Sequence, residues 1–384
     1  MPQLPAKLPQ AGTTIFTVMS ALAAEHGAVN LGQGFPDFGA DPALLQAVTA
    51  AMAAGHNQYP PMTGVPALRE AVAAKLNGLY GATYDPGSDI TITAGGTQAL
   101  YTALQCCLGT GDECLIIEPA FDSYEPAIRA AGAICVGVPM TADYRIDWPA
   151  VQAAVTPRTR AIVINTPHNP SGRAATAEDM QALQALAEAH DLVVISDEVY
   201  EHMIYDGTPH QSVARHPGLR ERSFLVSSFG KTFHVTGWKV GYVAAPPALS
   251  AAFRQLHQFT VFTVNTPAQH GIATYLADPA PWQGLNAFYQ AKRDLFRAAI
   301  AATPLTLLPC EGTYFQTVDY AAVSDLPELD FAKWLTTEIG VAAIPLSVFY
   351  QRPQERRHVR FCFAKRDETL AQAAERLAHL QVAR

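Results

Sequence analysis

Short apolar runs alternate with amphipathic stretches through the middle of this chain. Residues 89–96 read DITITAGG, and the runs ECLIIEP (113–119), AICVGVP (133–139), RAIVINTP (160–167), LVVISDE (192–198) and SFLVSSFG (223–230) are dense in isoleucine, valine and leucine. Runs that are apolar at successive positions, not at every second one, predict strands covered on both faces. Helical patterns such as 97–108 and 176–191 lie between them. Thr176 followed by Asp179 predicts a capping pair at the start of the second. The alternation predicts an α/β fold, a mostly parallel sheet flanked by helices.

From about residue 281 the pattern changes. A long amphipathic helix over 283–302 is followed by strand-like 305–320, a helix over 331–340, the strand HVRFCFA (358–364) and a terminal helix over 368–380. This predicts a smaller α+β domain. The expected division is an arm over 1–40 that joins the small domain, a large domain over 41–280 and the small domain over 281–384.

Composition narrows the function. A net charge of −8 argues against nucleic acid as a partner. With 49% hydrophobic and 16% charged residues the chain reads as a compact enzyme. No apolar run approaches the roughly 18 residues that span a bilayer. The start, MPQLPAKLPQAG, lacks the apolar core of a secretory signal, and a cytoplasmic location is expected. Six cysteines form no CxxC pair and read as buried free thiols. Twelve histidines supply no HxxxH or HxH ligand pair, so no metal site is expected.

The candidate chemistry gathers where predicted strands end, the edge at which open α/β sheets bind ligands. Asp197 follows LVVIS, Asn165 and Asn169 follow RAIVI, Gly96 and Thr97 follow DITITA, and Ser228 and Lys231 follow SFLVS. Lys231 is the candidate nucleophile, an amine that works only when desolvated or imine-bound. Asp197 would be costly unpaired at the end of an apolar strand, and a protonated pyridine nitrogen would compensate it. Tyr200 and Asn169 could both reach the ring's phenolic oxygen, and Phe121 could stack on the ring. Gly96 and Thr97 open a helix whose first amides form an anion site, which Ser228 and Lys239 can complete. The sum is what a lysine holding pyridoxal phosphate needs. Arg360, in HVRFCF, suits bidentate pairing with a substrate carboxylate.

The stretches NQYPPMTG, FDSYEPAI, NTPHNPSG, SDEVYEH, SSFGKTFHVTGWKVGY, NTPAQ and CEGTYF resemble the class I aminotransferases of fold type I. Within that family the chain is most similar to the bacterial methionine aminotransferases and the kynurenine/glutamine transaminase group. The resemblance runs from residue 13 to residue 370. It implies a seven-stranded sheet in the large domain and a homodimer with shared active sites. It also implies that Tyr59 reaches the neighbouring subunit's cofactor phosphate, and that Gly34 and Phe16 line the substrate pocket with Asn169 beside the substrate carboxylate. Thr97 stands where some relatives carry an aromatic, and Lys239 where aspartate transaminases carry arginine. No arginine occurs between Arg254 and Arg293, the region expected to supply one for a dicarboxylate. With Phe16 and Tyr124 as walls, the pocket implied is apolar to aromatic. Methionine and aromatic donors with a 2-oxo acid acceptor are expected. The alternative is a kynurenine/glutamine transaminase with cysteine-S-conjugate β-lyase activity.

Overall fold

The computed structural model describes residues 8, 12–352 and 354–383. The opening stretch that argues against a secretory signal lies almost wholly outside them. The apolar runs become the strands of one sheet: β1 (Ile90–Thr93), β2 (Glu113–Glu118), β3 (Ile134–Pro139), β4 (Thr159–Asn165), β5 (Val193–Asp197), β6 (Ser223–Ser228) and β7 (Gly241–Ala244). Their order is β1-β7-β6-β5-β4-β2-β3. Every pairing among β6, β5, β4, β2 and β3 is parallel, and only β7 runs against its neighbours.

In the central strands β2, β4, β5 and β6, alternate residues enter two different cores. Ile162 and Ile164 join one, and Ala161 and Val163 the other, all at most 2% exposed. That two-sided burial is why the runs are apolar at every position. Each fully buried aliphatic side chain contributes about 1.5–3 kcal/mol to folding. The helix Ala177–Ala189 starts on the expected reciprocal cap, Asp179 N–H donating to Thr176 Oγ1 and Thr176 N–H to Asp179 Oδ2.

The strand β7 has no counterpart among the apolar runs, being only GYVA. It is wedged where three segments meet. A Cβ at Gly241 would lie 2.6 Å from the Ser227 carbonyl oxygen and 3.1 Å from the Gly95 carbonyl carbon. Glycine lets β7 seal the sheet against the turn that opens the helix Gly95–Cys107.

A second, antiparallel sheet orders Ile344–Pro345, His358–Cys362, Phe315–Asp319 and Thr306–Leu307. The long helix predicted over 283–302 begins at Leu285, after a short turn of helix at Ala280–Gln283. Val29–Asn30, just past the first helix Ile15–Glu25, pairs in parallel with Val341–Ala342. That pairing brings residues 32–35 over the carboxyl edge of the large sheet, where they meet Arg360, Lys231 and Lys365.

Candidate active site

Two cavities sit at that edge and share Phe121, Asn169, Tyr200, Lys231 and Thr236. The inner one, about 150 Å³, is also lined by Gly96, Thr97, Asn165, Asp197, Ser228 and Lys239. The outer one, about 300 Å³, adds Phe16, Gly34, Phe35, Phe315 and Arg360.

Lys231 lies on a turn of helix, Phe229–Thr232, that leaves the end of β6. Its Nζ donates to the Tyr314 hydroxyl at 2.8 Å and to the Gly34 carbonyl at 3.1 Å. Burial pushes its pKa down to about 8, because the ammonium form loses its hydration. Asp197, at the end of β5, is 4% exposed and accepts from the Tyr124 hydroxyl at 2.6 Å and from Val199 N–H at 3.3 Å. Burial raises its pKa to about 6, although the Tyr124 hydroxyl pulls the other way.

Asn165 braces the turn that leaves β4 and ties it to the end of β5. Its Nδ2 donates to the Asp197 carbonyl at 2.8 Å, and its Oδ1 accepts from Asn169 N–H at 2.8 Å. The Thr166–Pro167 and Asn169–Pro170 bonds in this turn are both cis. Asn169 Oδ1 then accepts from Arg360 Nη1.

Arg360 is 1% exposed, at the centre of the strand His358–Cys362. Its Nη2 donates to the Gly32 carbonyl at 3.1 Å, its Nε has no partner among the described residues, and its plane covers the Phe315 ring at 3.8 Å. Burial lowers its pKa to about 10. The guanidinium thus faces the outer cavity with a donor to spare.

Among the described residues no side chain caps the helix Gly95–Cys107, so its leading amides are open to an anion. Lys239, in the left-handed conformation at φ +54, drapes over Gly95, where a Cβ would lie 3.3 Å from its Cε. An uncapped helix start with a lysine, a buried carboxylate without a cation and a desolvated amine fit the phosphate, ring nitrogen and aldehyde of pyridoxal phosphate respectively.

Of the residues singled out from sequence, Tyr59 and Tyr124 line neither cavity. Tyr59 is 81% exposed, and its ring meets that of Phe262 edge-on at 5.4 Å. Tyr124 is corrected: it walls neither cavity, and its hydroxyl is spent on Asp197. Thr236, Tyr314 and Phe315 went unnoticed in the sequence. The CEGTYF stretch held the last two, but nothing local aims them at Lys231 or Arg360.

The family pattern described as aminotransferase class I and II matches residues 26–377. The chain is 51% identical over 376 residues to the methionine aminotransferase of Escherichia coli K12, covering 97% of each. It is 36% identical over 397 residues to human kynurenine–oxoglutarate transaminase 1, covering 94% of each. The solved structure of YbdL from Escherichia coli, identified with a methionine aminotransferase function, superposes with a TM-score of 0.97 over 99% of this chain and 100% of that one, at 51% identity. Aspartate aminotransferase from Thermus thermophilus, with maleate, gives 0.90 at 31% identity, over 99% and 100% of the two chains.

Proposed function

This chain belongs to the class I and II aminotransferases, and from that premise we propose that it moves the amino group of methionine and of aromatic amino acids to a 2-oxo acid, with pyridoxal phosphate held at Lys231. One observation carries the reading. A half-buried amine, a buried carboxylate and a buried guanidinium border one cleft, and among the described residues none of the three has an ionic partner within 4.0 Å. Charges so arranged suit ligands that bring the missing counter-charges.

Pyridoxal phosphate, when bound, supplies an aldehyde carbon for amine exchange and a ring that accepts the electron pair left at Cα. The amides of Gly96 and Thr97, with Ser228 and Lys239, hold its phosphate. Asp197 keeps the proton on the ring nitrogen, Tyr200 and Asn169 bond the ring oxygen, and Phe121 covers the ring face. Arg360 pairs with the substrate carboxylate, and Asn169 fixes the turn of the guanidinium toward it. Lys231 Nζ takes the Cα proton and returns it, work suited to an amine whose pKa burial lowers to about 8.

The walls Phe16, Phe35, Phe121 and Phe315 favour thioether and aromatic side chains. Apolar contacts separate such neighbours by only about 1–3 kcal/mol, so several donors should turn over. We read the enzyme as a cytoplasmic homodimer. All six cysteines are free thiols, and the exposed Tyr59 meets the exposed Phe262 edge-on, suited to reach a partner's phosphate site. The arm over 1–40 and a division near residue 280 belong to the same reading.

Lys231→Ala should abolish turnover of methionine with a 2-oxo acid and the absorbance near about 400 nm expected of the bound cofactor. A panel including methionine, phenylalanine, kynurenine, aspartate and a cysteine conjugate should rank the first two highest. Normal activity in the variant, or aspartate leading the panel, overturns the proposal.

A further inference from the structure

We propose that Tyr314 is a positioning residue: together with the Gly34 carbonyl it engages two hydrogens of the Lys231 amine and leaves the nitrogen's remaining lobe facing the cleft. The inference rests on the reading of Lys231 as the proton carrier. It follows from the inventory of donors and acceptors at one point.

Tyr314 is fully buried, and its hydroxyl donates to the Gly34 carbonyl. A phenol has one hydrogen to give, so its oxygen can then only accept. Lys231 Nζ supplies that bond at 2.8 Å and a second to the Gly34 carbonyl at 3.1 Å. A neutral amine has two hydrogens and one lone pair. With Cε in one tetrahedral direction and both hydrogens engaged, the lone pair takes the last, toward the cavities that Lys231 lines. A proton arriving from substrate Cα becomes the third ammonium hydrogen there, while the electron pair of the broken C–H bond stays on the substrate side. The same lobe gives the proton back. Because the Tyr314 hydrogen is committed elsewhere, it does not compete for the lone pair.

The acceptors are anchored. Lys365 Nζ donates to the Phe35 carbonyl at 2.8 Å, and Arg360 Nη2 to the Gly32 carbonyl at 3.1 Å, on either side of Gly34. Gly34 lies flush against the Phe315 ring, where a Cβ would come within 2.7 Å of Phe315 Cζ. The Tyr200 ring meets that of Tyr314 edge-on at 5.1 Å and fixes the phenol.

The test compares the wild type with Tyr314→Phe and with replacement of Tyr314 by 3-fluorotyrosine, which keeps the hydroxyl and weakens it as an acceptor. In cofactor-free protein, the pH midpoint for acetylation of Lys231, read by peptide mass spectrometry, should fall by about half a unit or more in the phenylalanine variant. It should fall less in the fluorinated one, since an acceptor favours ammonium over amine. In loaded enzyme, kcat for methionine should drop about tenfold or more with KM changed less than about threefold, and the Cα-deuterium isotope effect should rise. Midpoints and kcat unchanged in both proteins overturn the inference. If Tyr314→Phe fails to fold, the fluorinated protein decides alone. The labelling needs no turnover, so a wild type that does not transaminate would sink the functional reading and leave this test standing.

Discussion

The segment SDEVYEH carries acidic side chains to two sides of the sheet edge, and the two sides are built on opposite terms. Behind the cleft, Glu201 is fully buried and bonded by the Lys75 ammonium at 2.5 Å and by the hydroxyls of Ser227, Tyr80 and Tyr242. Burial alone would raise its pKa, yet Lys75 and these donors hold the carboxyl well below the usual range. Glu198 is likewise closed, by the Ser196 hydroxyl, Val213 N–H and His210. On the cleft side, Asp197 has one hydroxyl and one long amide contact, Lys231 two neutral acceptors, and Arg360 an idle Nε. Burying a charge costs several kcal/mol unless a partner offsets it. Where the protein supplies the partner itself the group holds the fold, and where it withholds the partner the group awaits a ligand.

Breaking the closed side should have the largest effect. Lys75→Met leaves Glu201 buried without its cation and should destabilise the cofactor-free protein by about 3–5 kcal/mol, read as a lower urea midpoint with unchanged slope. Removing both charges, with Glu201→Leu added, should restore part of the loss. A loss below about 1 kcal/mol in the single variant would erase the contrast between the two sides.

On the open side the expected loss is in binding. Arg360→Lys keeps the charge but gives up the planar fork. For methionine, kcat/KM should fall by about 10–100-fold, mostly through KM, with the urea midpoint nearly unchanged. An unaltered KM would show that the guanidinium does not meet the substrate.

How much of this was legible in the sequence follows from the same contrast. The strands β2, β4, β5 and β6 were readable because burial on both faces leaves a continuous apolar run, β1 and β3 by their β-branched residues, and Asp197, Ser228 and Lys231 as polar residues at the ends of such runs. The strand β7 was not, since four residues starting at Gly241 carry little periodicity and owe their place to the close approach of Ser227 and Gly95. Tyr124 read as a pocket wall only through the family resemblance. Its hydroxyl finds Asp197 across 73 residues of chain. Tyr314 meets Lys231 across 83 residues. Contacts of that span are fixed by packing, and local pattern is silent about which hydroxyl will face which charge.

The smallest effect sharpens the comparison from the side of stability. The ordinary lysine pKa is 10.5, and burial lowers that of Lys231 to about 8. Below pH 8 both folded and unfolded chains carry the charge, and the folded one bears the cost of burying it. Between about 8 and 10.5 the unfolded chain retains a proton that the folded chain has released, so the wild type gains stability as pH rises through that window. Lys231→Met removes the cost outright. Without cofactor it should melt a few degrees above the wild type at pH 7, where about 1 kcal/mol corresponds to a few degrees or less in a chain of this size. The difference should shrink steadily toward pH 10.5. Melting curves of both proteins across this range decide the point. A variant less stable than the wild type, or a gap that does not change with pH, would mean that the amine is already paid for by its surroundings, as Lys75 is, and the two sides of the sheet edge would no longer differ in kind.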